Sequence, residues 1–318
     1  MPPTHDRIRV IEGLDRLGPI GRTDLVVTSP RAWAAAAPLL GAGAARIETG
    51  PAPVPDAGTT RILAVGAGAV MDRAKVAAAD AGLPLLTVPT LLSTDAAFSP
   101  VAALRVGDAV EYRETGLPDA VVLDRALLAA APPAGHRWST GDLLSVESAV
   151  RDRLLAHQVD EPLLRTARDL VDRTLAGLHD EAPDPSGTAA LLIAKVEAGL
   201  RTGDAWFEEG TEHYLAYQLE QETDAVPWHG ELLLALMPVC AVLQEWAPER
   251  SARIADALRR RGLDRPGARL LPAVDFRRLL AGAPGYCAAH GLTNTVLLHR
   301  PPTAARSEAA VAAWEGGW

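Results

Sequence analysis

The sequence predicts an α/β half built on a parallel sheet, followed by an all-helical half. Over the first 130 or so residues, short β-branched or apolar runs alternate with helical stretches, the spacing of a parallel sheet. After "AAAPPAGHRW" the strand pattern nearly vanishes and long amphipathic stretches take over. Between two such early runs, "VGAGAVMD" reads as a glycine turn carrying a strand directly into a helix.

In order, "TDLVVTS" is a strand and "RAWAAAAPLL" the helix after it. "RIETG" is a short strand, and "RILAVGAG" is a buried strand running into glycines. "VMDRAKVAAADAG" is a helix ended by Gly82, "LPLLTVPT" the next strand and "AVVLD" the last. The domain boundary is placed at Pro132–Pro133, giving domains 1–133 and 134–318. Helices are predicted at "GDLLSVESAVRDRLLAHQ", "PLLRTARDLVDRTLAGLHD" and "GTAALLIAKVEAGLRTG", with "NTVLLH" as a strand near the end. The arginine-rich stretch Arg250 to Arg261 reads as a solvated helix face, since Glu249, Asp256 and Asp264 lie in or beside it.

Composition narrows the function. Hydrophobic residues at 48% and charged residues at 22% are those of a soluble globular chain. A formal net charge of -9 argues against nucleic-acid and anionic-membrane partners, which require a basic face. The two cysteines, Cys240 and Cys287, form no disulfide framework and no CxxC pair. "MPPTHDRIRV" lacks the apolar core of a signal peptide, so a cytoplasmic protein with a small-molecule substrate is expected. Only two lysines occur, Lys75 and Lys195, which restricts lysine-dependent chemistry.

Three stretches carry candidate chemistry. Gly66 and Gly68 allow close backbone approach to a pyrophosphate at a helix start, and equally serve a tight turn; Asp72 is placed to pair with Lys75. "VPTLLSTDAAFSP" leaves the next strand at the same, carboxyl, edge of the sheet with several hydroxyls and one acid, Asp95. His213 opens a helix in "GTEHYLAYQLE", and His229 follows sixteen residues later in "PWHGE"; each alone is an ordinary helical histidine.

In this order "GAGAVMDRAK", "VPTLLSTDAAFSP", "GDLLSVESAVRD", "GTEHYLAYQLE" and "HGE" resemble the glycerol-1-phosphate dehydrogenases of the iron-containing alcohol dehydrogenase and dehydroquinate synthase-like superfamily. The resemblance implies a Rossmann-like nucleotide domain, a helical domain and a divalent metal in the interdomain cleft. It implies Asp142, His213 and His229 as metal ligands, with Zn²⁺ the expected ion and Fe²⁺ or Ni²⁺ as alternatives. Glu212 and Glu231 are candidates for orienting those ligands. The dinucleotide, NAD or NADP, is expected at Gly66, Gly68, Ala69, Thr90 and Ser93, with Val101 against the nicotinamide and Thr28 near the ribose. Asp95 is expected to face substrate, and a homo-oligomer is expected.

The chain departs from the family pattern in places. The glycine tract reads Gly66-Ala67-Gly68-Ala69 where three glycines are usual. "EYRETGLPDA" offers Arg113 as its only cation where a lysine is usual, and "YCAAHGLTNTVLL" offers His290 and Asn294 either as pocket or as loop residues. The expected reaction is metal-assisted hydride transfer between NAD(P)H and a small ketone or its secondary alcohol, glycerol 1-phosphate being one candidate. The alternatives are a dehydroquinate synthase-like lyase with catalytic NAD, against which the scarcity of lysine weighs, and a non-catalytic nucleotide-binding relative.

Overall fold

A computed structural model of the chain describes residues 7–41, 43, 45–107, 109–156, 161–178, 185–202, 208–223 and 227–318. The N-terminal "MPPTHD" and the last residues of the three predicted helices ("HQ", "HD" and the final Gly203) lie outside the described residues. The chain forms two compact units, Met1–Ser139 with Asp184–Glu197, and Thr140–Pro183 with Ala198–Trp318. The first break thus falls a few residues beyond the expected boundary. A later stretch also returns to the first unit, which the sequence does not signal.

In the first unit the strands are β1 (Val10–Glu12), β2 (Asp24–Thr28), β3 (Arg46–Glu48), β4 (Arg61–Gly66), β5 (Leu85–Pro89), β6 (Val101–Val106), β7 (Ala109–Glu114) and β8 (Ala120–Leu123). Six pair all-parallel in the order β1-β8-β5-β4-β2-β3. Leu25, Val26 and Val27 of β2 and Ile62 to Val65 of β4 are fully buried, the mark of strands covered on both faces. The intervening helices are α1 (Pro30–Leu40), α2 (Ala69–Ala81), α3 (Arg125–Ala129) and α4 (Pro133–Arg137). Ser29 caps α1 by accepting from Ala32 N–H, and Gly82 ends α2 at φ 63°, as a left-handed stop requires.

Two features escape the sequence pattern. β1 has only three residues, too few to show a period, and pairs with β8 at the sheet edge. β6 and β7 form an antiparallel hairpin whose second strand, "AVEYRE", is mostly solvent-facing. Its start is held by the buried Lys75, whose Nζ donates to Val101 O at 2.5 Å and pairs with Asp72 at 3.1 Å, the predicted ion pair.

The second unit is built from helices α5 (Ser139–Leu155), α6 (Glu161–Gly177), α7 (Pro185–Thr202), α8 (Thr211–Gln221), α9 (His229–Leu243), α10 (Pro248–Arg260), α11 (Gly267–Leu270), α12 (Phe276–Ala289), α13 (Val296–His299) and α14 (Ala304–Gly316), most of α7 belonging to the first unit. It has no strand among the described residues. The predicted strand "NTVLLH" is the short helix α13, because Thr295 caps it by accepting from Leu297 N–H. α9 is apolar on nearly every side and correspondingly buried. On α10 the arginines 259 and 260 are solvated as expected, but Arg250 is not: it bridges Glu147 (2.6 Å) and Asp172 (2.6 Å) and so ties α5, α6 and α10 together. No helix among the described residues is long and apolar enough to cross a membrane.

Candidate functional site

Asp142, His213 and His229 converge in the helical unit, each offering a ligand atom within 4.8 Å of the others. Local sequence explains the meeting. Asp142 sits in the first turn of α5, His213 in the first turn of α8 and His229 at the start of α9. Gly141 lets α5 touch α9 backbone to backbone: a Cβ there would lie 2.0 Å from Gly230 O. The glycines of "GDLL" and "WHGE" therefore hold the neighbouring Asp142 and His229 together.

Each imidazole has a carboxylate behind it. His213 Nδ1 lies 2.8 Å from Glu212 Oε1, and His229 Nδ1 lies 3.4 Å from Glu220 Oε1. A carboxylate there accepts the Nδ1 proton, which leaves Nε2 of each ring as the lone-pair nitrogen for an ion. Glu212 is fully buried and also accepts from Gly210 N–H at 3.0 Å. Tyr217 lies beside both rings, nearly parallel to that of His229 at 6.4 Å, and its hydroxyl donates to Glu209 at 2.9 Å.

Of the two acids expected to orient the ligands, Glu212 contacts the His213 ring and Glu231 contacts neither histidine among the described hydrogen bonds. Glu231 instead pairs with Arg265 at 3.0 Å, and burial raises its pKa against the pull of that arginine. Glu220 and Tyr217 were not anticipated. Their signal is present in spacing: His213, Tyr217 and Glu220 are i, i+4 and i+7 on one face of α8.

One carboxylate and two neutral imidazoles form a donor set suited to Zn²⁺ or Fe²⁺, leaving coordination positions for substrate oxygen and water. The residues present fit a divalent ion.

The dinucleotide candidates gather at the carboxyl edge of the first unit's sheet. From β2 the chain moves outward to β3, and from β4 it moves the other way to β5, so the strand order reverses between β2 and β4. Such a reversal opens a ligand crevice at the strands' carboxyl ends. Gly66 and Gly68 lie at that point, with Ala69 opening α2. The glycines differ in purpose: a Cβ on Gly66 would meet Val70 at 2.8 Å, whereas Gly68 has φ +45° and open space around it. Thr90 N–H donates to Gly66 O at 2.8 Å, which brings the second loop against the first. Ser93 is buried in that loop. Val101 opens β6, half-buried, its carbonyl taken by Lys75. Thr28 is fully buried and its hydroxyl donates to Val65 O at 2.7 Å, so the side chain stitches β2 to β4 instead of facing a ribose.

Asp95 pairs with Lys195 at 2.9 Å, both nearly buried, where an acid facing substrate was expected. Arg113 is exposed and bound to Asp80. Asn294 is buried and donates to Glu209 O at 2.7 Å, while the His290 ring lies tilted against Tyr286 with ring centres 4.5 Å apart. Both lysines are thus buried partners of carboxylates.

Residues 41–132 match the family model for iron-containing alcohol dehydrogenase. A glycerol-1-phosphate dehydrogenase [NAD(P)+] of Methanococcoides burtonii is 30% identical over 185 residues, 55% of this chain and 52% of the relative. That of Thermoplasma acidophilum is 30% identical over 54% of this chain and 51% of the relative. The chain therefore spans about half the length of the curated relatives it matches. In fold it is similar to a probable glycerol dehydrogenase from Sinorhizobium meliloti (TM-score 0.70, 22% identity, 97% of each chain). It is likewise similar to an iron-containing alcohol dehydrogenase from Corynebacterium glutamicum (TM-score 0.68, 18% identity, 98% of this chain and 96% of that one).

Proposed function

We propose that this chain, which shares the fold of iron-containing alcohol dehydrogenases and is similar in sequence to glycerol-1-phosphate dehydrogenases, is a metal-dependent, NAD(P)-linked dehydrogenase of a small polyol or its ketone. The observation that carries the reading is the convergence of Asp142, His213 and His229, each histidine backed by a glutamate. These three residues would hold the ion. Glu212 and Glu220 keep both rings in one tautomer, and the turn at Gly66 to Ala69 offers helix-start N–H groups to a pyrophosphate. When bound, the ion supplies Lewis acidity toward a substrate oxygen and the nicotinamide supplies or accepts hydride.

No acid follows Thr28 and Ser29 at the end of β2, so both NAD and NADP are candidates. With Arg113 bound to Asp80, discrimination in favour of a phosphorylated polyol is expected to be weak. A cytoplasmic homo-oligomer is the expected setting, and light scattering reads the assembly.

Elemental analysis of the purified protein should give about one divalent ion per chain, lost in His213→Ala and His229→Ala. Steady-state rates with dihydroxyacetone phosphate and dihydroxyacetone, under NADH and NADPH, identify the substrate arm. A kcat/KM of about 10⁴ M⁻¹s⁻¹ or more for the phosphate ester alone would assign glycerol 1-phosphate and overturn weak discrimination. Full metal content in both histidine variants would overturn the metal assignment.

A further inference from the structure

We propose that Asp152 is a positioning residue for the metal centre, fixing the first turn of α8 relative to α5 and to the start of α13. The inference rests on the metal-centre reading above and concerns the last residue of "GDLLSVESAVRD", to which that reading gives no role.

Asp152 lies on the same helix as Asp142 and is fully buried. Its Oδ2 accepts from Thr211 N–H at 2.7 Å, and its Oδ1 accepts from the Thr211 hydroxyl at 2.9 Å and from Val296 N–H at 2.7 Å. The first N–H groups of a helix have no partner within it, and a side chain at the N-cap ordinarily supplies one. The N-cap of α8 is Gly210, which has no side chain to do so. The carboxyl group of Asp152 takes that place from another helix, and the same group receives the first N–H of α13. Gly210 is the residue that permits it, since a Cβ there would lie 2.6 Å from Asp152 Oδ2 and 2.8 Å from the backbone of Ala149. A 2.8 Å contact between the hydroxyls of Thr211 and Thr295 closes the junction.

The residue after Thr211 is Glu212, and the one after that is His213. Glu212 takes Gly210 N–H and faces the His213 ring, so the held turn and the metal ligand form one rigid piece. α5 therefore carries one ligand, Asp142, near its start and dictates the position of a second, His213, from near its end. Loss of the Asp152 carboxyl group frees the turn, and with it the distance between Asp142 and His213.

The test is Zn²⁺ affinity by chelator competition, together with the visible spectrum of the Co²⁺-substituted protein, for the wild type, Asp152→Asn, Asp152→Ala and Thr211→Val. Asp152→Asn keeps the volume but cannot accept all three hydrogen bonds. It should lower Zn²⁺ affinity by about tenfold or more, the range seen when a group orienting a ligand is removed, and should shift the Co²⁺ bands. Thr211→Val removes the hydroxyl's contacts with Asp152, Thr295 and Val296 N–H but keeps the backbone bond to Asp152, and should shift both readouts less in the same direction, so the inference stays testable if Asp152 variants fail to fold. Folded variants that melt earlier yet bind Zn²⁺ within about twofold of wild type with an unchanged Co²⁺ spectrum would reduce Asp152 to a stabilising contact and overturn the inference. Wild-type protein that binds neither ion would overturn the metal-centre reading itself, and the inference with it.

Discussion

Glu212 and Glu220 meet their histidines by different routes, one from the adjacent residue on the same turn and one across from a neighbouring helix. Glu220→Gln retains an acceptor but removes the charge, so a weaker, about tenfold, loss of Zn²⁺ affinity is expected in a chelator titration, with the fold unchanged. Asp152 makes a separate prediction in metal-free protein. Burial, reinforced by the charge of Glu212, pushes its carboxyl up to about 8, against hydrogen bonds from Thr211 and Gln244 that pull it down. The unfolded chain loses that proton near the ordinary carboxylate value of about 3.9. Between about 4 and 8 the folded state holds the proton and the unfolded state does not, so this group's contribution to stability falls as pH rises through that window and levels off above it. The neighbouring thiols of Cys240 and Cys287 are also raised by burial, and their window lies above this one. Urea midpoints measured from pH 5 to 8 should decline less steeply in Asp152→Asn than in wild type; equal slopes would place the titration elsewhere. At this scale His213 and His229 were legible as a candidate pair only through motif order, since neither carries a local mark. Glu220 was legible in principle from the spacing of α8. Asp152 was not, because nothing in "AVRDRLL" says that a carboxylate will leave its own helix to cap two others.

At the scale of elements, close backbone approach sets the tolerance for change. Gly141 meets a carbonyl of α9, which cannot move aside as a side-chain tip can. Gly141→Ala should destabilise the helical unit by about 1–3 kcal/mol, the usual cost of overpacking, and should weaken metal binding as Asp142 and His229 are driven apart. Thermal melting and metal content check the two parts separately. The glycine turn makes a different demand. Gly66→Ala crowds Val70 and should lower the melting temperature, whereas Gly68→Ala meets no neighbour but strains a residue at φ 45° and ψ -120° by about 1–3 kcal/mol. Most elements were legible because periodicity and caps agree, as at Ser29 and Gly82. The β6–β7 hairpin was not, for β7 is mostly exposed and β6 buries only Ala102 fully, so neither strand shows a regular buried alternation. "NTVLLH" misled because four β-branched and apolar residues fit a strand or a short helix equally, and the Thr295 cap, with Val296 N–H held by Asp152, favours the helix.

For the whole molecule, the two candidate constellations belong to different compact units, the glycine turn to the first and the metal triad to the second. Their loss should therefore be separable. Gly68→Val should weaken NAD(P)H binding, read by fluorescence titration, while leaving metal content intact; His213→Ala should do the reverse. Equal dinucleotide affinity in Gly68→Val and wild type would leave the turn a purely structural feature. The division into an α/β part and a helical part was legible from texture alone. The return of Asp184–Glu197 to the first unit was not, since a helix reads the same whichever core it joins.

Lys75 and Lys195 are each about 1% exposed, and they are the only lysines in the chain. An endoprotease that cuts after lysine accordingly finds no accessible side chain until α2 or α7 opens, however many arginines decorate the surface. Cleavage at either site becomes a clock for local unfolding. Fragments cut at Lys75 report the opening of α2, and those cut at Lys195 the opening of α7. Arginine-directed cleavage of the same sample would begin at once.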